Sequence, residues 1–192
     1  MKLTLIGGAA GLLLTAGAAL AQAGDGAGPP GQPEVKVVGD WMVRCFAVES
    51  PNPCDVFQEQ DGGNGRQRIL SVSIAYVPSM DRHLMQITVP LEVSLPKGIT
   101  IQAENYTSPV LKYRMCTREG CFVQMAVDNT LIQSLAKSGS DAKINVAGED
   151  GKSYALRLSL KGFSTAHDDM VGQARAKAKS ASAGDASAPK RP

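Results

Sequence analysis

The chain has 192 residues, of which 43% are apolar and 20% are charged, as in an ordinary globular protein. This length suits one domain with flanking segments. Aromatic residues make up 5% of the chain and the formal net charge is +2. Both values are too low for a nucleic-acid-binding surface, which needs clustered basic side chains and stacking rings.

Residues 1–21 have the three parts of a secretory signal peptide. Lys2 supplies the positive charge, residues 3–14 form the apolar run, and the A-L-A triplet at 19–21 is a cleavage site. A second small-x-small triplet allows cleavage after Ala23. The apolar run is shorter than the roughly 20 residues that span a bilayer. We therefore predict an exported protein, periplasmic, secreted or attached to the cell envelope, without a transmembrane segment after signal removal.

Composition divides the remainder of the chain into three parts. Residues 22–36 are rich in glycine and proline, which predicts a linker. Residues 37–165 form the predicted domain. Residues 166–192 are dominated by alanine, lysine, serine and glycine, which predicts a low-complexity, disordered tail. The tail holds five basic and three acidic residues, enough only for a weak contact with an anionic envelope surface.

Alternation of apolar and polar residues predicts antiparallel strands through the domain. Asp-Gly at 150–151 predicts a tight turn in the last hairpin. The fold class is therefore all-β, a mainly antiparallel β-sandwich or barrel-like domain stapled by disulfides. The strands are predicted at Val37–Cys45, Cys54–Gln60, Arg68–Tyr76, His83–Val89, Ile99–Ala103, a hairpin within Leu111–Val127, Asp141–Gly148 and Lys152–Lys161.

One short α-helix is predicted at Asp128–Lys137. Asp128 can cap its N-terminus, and three apolar residues share one face of it. These are Leu131, Ile132 and Leu135.

Four cysteines in an exported protein are most simply two disulfides, because such compartments are oxidising. Three pairings are open. Cys45–Cys54 with Cys116–Cys121 is favoured, because each pair can join neighbouring strands of a hairpin. A redox-active pair is less favoured, because the second pair is spaced C-x4-C rather than C-x-x-C.

The register that places Cys116 opposite Cys121 also assigns faces to the hairpin. It predicts that one apolar set points into the core. This set is Leu111, Tyr113, Met115, Phe122 and Ala126.

No catalytic pattern is present: the chain lacks G-x-S-x-G, H-E-x-x-H and a phosphate-binding glycine loop. A zinc site would need four ligands held together, and the two histidines, His83 and His167, are isolated in sequence. We therefore predict no catalytic residue, no cofactor and no metal site.

Three motifs, followed by a short helix and an apolar ending, resemble the invasion-associated locus B family of exported bacterial proteins over roughly residues 37–170. The motifs are G-D-W-x-V-x-C at Gly39–Cys45, V-P-L-x-V-x-L-P-x-G-I at Val89–Ile99 and Y-R-x-C-x4-C at Tyr113–Cys121. The resemblance implies a secreted or envelope-associated all-β domain, linked in intracellular pathogens to host-cell (erythrocyte) invasion. It carries over no catalytic residue, only the four cysteines as disulfides.

These observations predict a non-enzymatic binding or accessory module that acts on an unknown envelope or host protein. The alternative is a periplasmic enzyme or thiol-redox factor whose site is assembled from scattered residues.

Overall fold

The computed structural model describes residues 32–47, 50–63 and 67–186, with side chains described as far as residue 180. The predicted signal peptide, most of the predicted linker and residues 187–192 lie outside these ranges. Within them the chain forms eleven strands and two helices. They are β1 (Glu34–Val38), β2 (Trp41–Cys45), β3 (Cys54–Asp61), β4 (Arg68–Val77), β5 (Arg82–Val89), β6 (Ile99–Ala103), β7 (Tyr106–Thr107), β8 (Met115–Thr117), β9 (Gly120–Val127), α1 (Asn129–Lys137), β10 (Ala142–Ala147), β11 (Ser153–Leu158) and α2 (Phe163–Ala186).

The strands form two antiparallel sheets, which confirms the predicted fold class. The larger sheet has the order β1-β2-β3-β4-β5-β9-β8, and the smaller one the order β11-β10-β6-β7. Along β2, β3, β4, β5 and β9, alternate side chains enter the core, whereas the residues of the edge strands β1 and β8 are mostly exposed. The smaller sheet and both helices contribute to the same core. We call the core side of the seven-stranded sheet its inner face and the opposite side its outer face.

The two cysteine hairpins have the predicted registers. In β2 and β3, Cys45 lies opposite Cys54, and in β8 and β9, Cys116 lies opposite Cys121. Both pairs are disulfide-bonded, with Cα–Cα distances of 4.2 and 4.0 Å. Each disulfide therefore joins adjacent strands of one sheet.

The predicted face of the second hairpin is wrong for β8 and β9, although Leu111 does lie in the core and Tyr113 packs against it. Cys121, Val123 and Val127 point into the core, whereas Met115 is 54% exposed. Both faces of β9 carry apolar side chains, so alternation alone could not choose between them. The choice is made by β5, which pairs with β9 and sets Ile87 opposite Val123 on the inner face.

Helix α1 matches its prediction. The Asp128 side chain caps it by accepting a hydrogen bond from the backbone N–H of Leu131 at 2.9 Å. The three apolar residues of the predicted stripe are all buried.

The predicted disorder of the tail is wrong for residues 166–186, which belong to α2. Four side chains of this helix are fully buried at a spacing of three to four residues: Phe163, Ala166, Met170 and Ala174. Two of the four are alanines in an alanine-rich stretch, so the apolar stripe is hidden in the composition. The domain also begins earlier than predicted, because β1 pairs with β2 from Glu34 onward.

Candidate functional site

The outer face of the seven-stranded sheet forms an open groove of about 790 Å³. No described residue from the helices or the smaller sheet lines it. We call this feature the outer groove. Its surface mixes apolar and hydrogen-bonding side chains, among them Phe57, Ser73, Leu84, Gln86, Phe122 and Gln124.

A partly buried ion pair forms one side of the outer groove. Arg44 on β2 donates from Nε and Nη2 to the two carboxylate oxygens of Asp55 on β3, at 2.9 and 2.5 Å. The hydroxyl of Ser73 donates to the same carboxylate at 2.6 Å. The Arg44 guanidinium lies 3.8 Å from the centroid of the Phe57 ring. The Asp55 carboxylate and the Phe57 ring therefore both hold the Arg44 guanidinium, which fixes its position at this side of the groove.

The opposite side of the groove carries a different arginine. Arg114 precedes β8, and its backbone N–H donates to the backbone carbonyl of Phe122 at 2.7 Å. Among the described residues, its guanidinium has no ion-pair or hydrogen-bond partner. Arg68, by contrast, is paired with Glu59 at 3.2 Å. The outer groove thus offers one guanidinium that is free to bind an anionic group.

A second polar cluster lies on the inner face, between β5 and α2. Nε2 of His83 is 2.9 Å from Nε2 of His167, and Nδ1 of His167 is 3.1 Å from a carboxylate oxygen of Asp168. His83 is only 6% exposed, and its Nδ1 has no hydrogen-bond partner. Burial and the neighbouring His167 lower the pKa of His83 from 6.5 to about 4. The packed environment therefore opposes protonation of His83.

The sequence did not reveal this pair. His83 and His167 are 84 residues apart, and the second lies in the stretch that was predicted to be disordered. A stripe of alanines and Met170 at helical spacing was the only signal that could have placed His167 against the sheet. Neither histidine lines the outer groove.

A sequence model of the family described as "Invasion associated locus B (IalB) protein" matches residues 41–171, more than half of the chain. The chain belongs to the invasion associated locus B family. Among curated proteins it is similar to two that are named Invasion protein B homolog, from Brucella abortus strain 2308 and from Brucella abortus biovar 1 strain 9-941. Each is 27% identical over 132 residues, which cover 67% of this chain and 74% of the relative.

The IalB fold is also seen in a solved structure. The crystal structure of invasion associated protein B from Bartonella henselae matches with a TM-score of 0.64 and 17% identity. The match covers 73% of this chain and 97% of that one. At this identity the similarity concerns the fold.

The IalB motif at Gly39–Cys45 has a structural role here. The indole Nε1 of Trp41 donates to the backbone carbonyl of Ser159 at 2.9 Å, and its ring lies 5.0 Å from that of Phe163. The Ser159 hydroxyl donates to Asp40 at 2.6 Å. The motif therefore joins the start of the domain to the segment between β11 and α2.

Two glycines allow that close approach. Gly39 and Gly162 both have positive φ, at 62° and 82°. A Cβ atom on Gly39 would overlap the backbone of Lys161, and one on Gly162 would lie 2.5 Å from the carbonyl oxygen of Val38. The family motif at this position thus reflects packing rather than chemistry.

Two further observations concern the kinds of site that the IalB chain presents. Within residues 32–47, 50–63 and 67–186, neither helix combines the length and hydropathy of a membrane span. In the same part of the chain, no three histidine, cysteine, aspartate or glutamate side chains gather closely enough to hold a metal ion.

Proposed function

We propose that this IalB-family protein is a non-enzymatic, exported binding module that holds a partner protein in the outer groove. The observation that carries the proposal is the groove itself. Within the described residues, both helices and the smaller sheet contribute to the core, and none of their residues lines this face. A sheet face with exposed apolar side chains and a preformed concave shape is typical of a binding surface.

The chemistry of the groove indicates what the partner presents. Phe57, Leu84 and Phe122 offer apolar contacts beside the hydrogen-bonding amides of Gln86 and Gln124. On the β8 side, the unpaired guanidinium of Arg114 can bind a carboxylate through two parallel hydrogen bonds. We expect a protein segment in which an acidic residue lies beside apolar ones.

The signal-like first residues and the family support an exported location, in the periplasm, on the envelope or outside the cell. The two Brucella relatives are named as invasion protein B homologs. By extension, the partner of this chain is an envelope or host-cell protein.

An enzyme or thiol-redox factor has less support. Both histidines lie on the inner face, away from the outer groove. Cys116 is exposed, but it is bonded to Cys121 across a hairpin. A reversible reaction of that disulfide with a mild reductant, coupled to a change in a substrate thiol, would favour the redox alternative.

Site-specific photocrosslinking in native envelopes tests the binding proposal. A photoreactive residue is placed at Leu84 in the groove and, as a control, at Leu95, which is similarly exposed but does not line it. We expect a discrete protein adduct from position 84 and none from position 95.

The charge of the groove gives the second arm of this experiment. Arg114→Glu should abolish the adduct from position 84, since it replaces the free cation by an anion. Lys112→Glu, two residues away and outside the groove, should leave it unchanged. Equal adducts from both positions, or an adduct that survives Arg114→Glu undiminished, would contradict the proposal.

A further inference from the structure

The hydrogen positions in the histidine pair follow from its neighbours. A carboxylate only accepts, so the Nδ1 of His167 that faces Asp168 carries the hydrogen. In the neutral ring, Nε2 of His167 is then an acceptor, and Nε2 of His83 must donate to it. This leaves Nδ1 of His83 without a hydrogen, in a buried position that offers it no partner.

Either way of adding a proton to this pair places a hydrogen on Nδ1 of His83. The proton can bind Nδ1 of His83 directly. If it binds Nε2 of His167 instead, two N–H groups would face each other across 2.9 Å, unless the His83 hydrogen moves to Nδ1. In both cases a hydrogen appears on Nδ1 of His83, where no acceptor is available. A buried unpaired donor on a cation is costly, so protonation opposes the packed arrangement.

We propose that His83 and His167 form an acid-sensitive latch, which holds α2 against the seven-stranded sheet at neutral pH and releases it as the pH falls. His83 belongs to β5 and His167 to α2, so movement of the helix away from the sheet separates the two rings. Release would give the protonated His83 ring access to water. The latch lies on the inner face and does not depend on the binding role of the outer groove.

Two other charges near the latch act on His83 in opposite directions. Asp81, in the turn between β4 and β5, attracts a cation on His83, while Arg175 on α2 repels it. These two groups also contact each other at 3.4 Å, and Arg175 donates to the hydroxyl of Tyr76 on β4 at 2.9 Å. From β9, the residue opposite His83 is the apolar Val127. Desolvation and His167 therefore dominate the response of His83.

The direction of the pH effect follows from the lowered pKa of His83. When released and hydrated, the ring takes up a proton near 6.5, but in the docked state only near about 4. The docking of α2 is therefore fully favoured above pH 6.5, and it weakens as the pH falls from 6.5 to about 4. Within this window each pH unit weakens docking by up to about tenfold.

The same geometry argues against a metal ion between the two rings. Coordination by Nε2 of His83 would require the hydrogen on its Nδ1, which has no acceptor. Among the described residues, the two rings also form no group with a third histidine, cysteine, aspartate or glutamate that could hold a metal ion.

Trp41 provides a built-in reporter for the test. It is the only tryptophan of the chain, it is fully buried, and its ring contacts Phe163 at the start of α2. Its emission is recorded on the purified chain from about pH 7.5 to about pH 4.5, together with hydrogen exchange corrected for the intrinsic pH effect. We expect a reversible red shift and loss of protection in α2, while β4 and β5 stay protected.

Two variants and one control separate the latch from a general acid effect. His83→Gln and, independently, His167→Gln should flatten the pH dependence of α2 protection. Lys36→Gln removes an ion pair to Asp169 on α2 that spans 2.8 Å. It should lower α2 protection at every pH and keep the slope. A native chain whose α2 protection does not change over this range, or a slope that survives in both histidine variants, would overturn the proposal.

Discussion

Arg44 and Asp55 show how a single pair can serve both folding and the groove. They lie opposite each other in the β2–β3 register, next to the bonded cysteines. Asp55 is only 6% exposed and also accepts from Ser73. Loss of this carboxylate would leave the Arg44 guanidinium without its main partner. Because the site is poorly hydrated, water would not fully replace that partner.

Asp55→Ala should therefore lower the free energy of unfolding by about 3 kcal/mol. Glu59→Ala is the matched control: it also breaks a carboxylate–arginine pair from β3, but one that is exposed. It should cost less than about 1 kcal/mol. Urea denaturation at neutral pH measures both. Similar losses for the two variants would show that burial does not set the strength of the Arg44–Asp55 pair.

At the scale of elements, α2 is the part that composition concealed. Its buried stripe consists of Phe163, Ala166, Met170 and Ala174, and it packs against β1 to β4 and α1. In proteins, most of the stability of a helix comes from the packing of its apolar face rather than from intrinsic propensity. Packing of this narrow stripe on the sheet must therefore hold it.

Met170→Ala should reduce the free energy of unfolding by about 3 kcal/mol, because it leaves a cavity beneath the helix. Lys179→Ala, on the exposed side of the same helix, should change it by less than about 0.5 kcal/mol. Thermal and urea unfolding provide the comparison. If Met170→Ala were as harmless as the control, the helix would contribute little to the stability of the domain.

The two disulfides differ in their surroundings. Cys45 and Cys54 are both buried, and Oε1 of Gln173 on α2 lies 3.2 Å from Sγ of Cys45. Cys116 is exposed on β8, an edge strand. A thiolate can therefore reach the second bridge without any opening of the domain.

Under a mild reductant, Cys116 and Cys121 should be reduced first, and Cys45 and Cys54 only when the domain opens. Timed alkylation followed by peptide mass spectrometry measures the order. Adding urea should reduce the difference in reduction rate between the two disulfides, because it opens the domain. Earlier labelling of Cys45 in the native protein would contradict the view that α2 shields it.

For the whole molecule, the important feature is that both sheets and both helices share one core. The segment Gly39–Trp41 meets Ser159–Phe163, so the beginning and end of the domain close on each other. The backbone N–H of Asp40 donates to the carbonyl of Lys161 at 3.0 Å. Such a closure couples the seven-stranded sheet to α2 and to the smaller sheet.

At neutral pH the domain should therefore unfold as one unit. Trp41 emission, which reports on the closure, and far-UV circular dichroism, which reports on both sheets, should give the same urea midpoint. Two separated transitions would mean that the smaller sheet or α2 unfolds independently of the seven-stranded sheet.

The parts of this protein that could be predicted from its sequence are those set by neighbouring residues. Hairpin pairing placed Cys45 opposite Cys54 and Cys116 opposite Cys121, and Asp128 with its apolar stripe marked α1. In each case the signal lies within about a dozen residues, where turn geometry, alternation and capping act.

Tertiary structure alone decided the inner face of β9, the ordering of α2, the outer groove and the His83–His167 pair. Both faces of β9 carry apolar side chains, so the register of its pairing with β5 determines which face enters the core. Alanine favours a helix, but most of the stability of a helix in a protein comes from the surface on which its apolar face packs. The histidines meet across 84 residues because β5 and α2 cross the same core, and no local pattern records that contact.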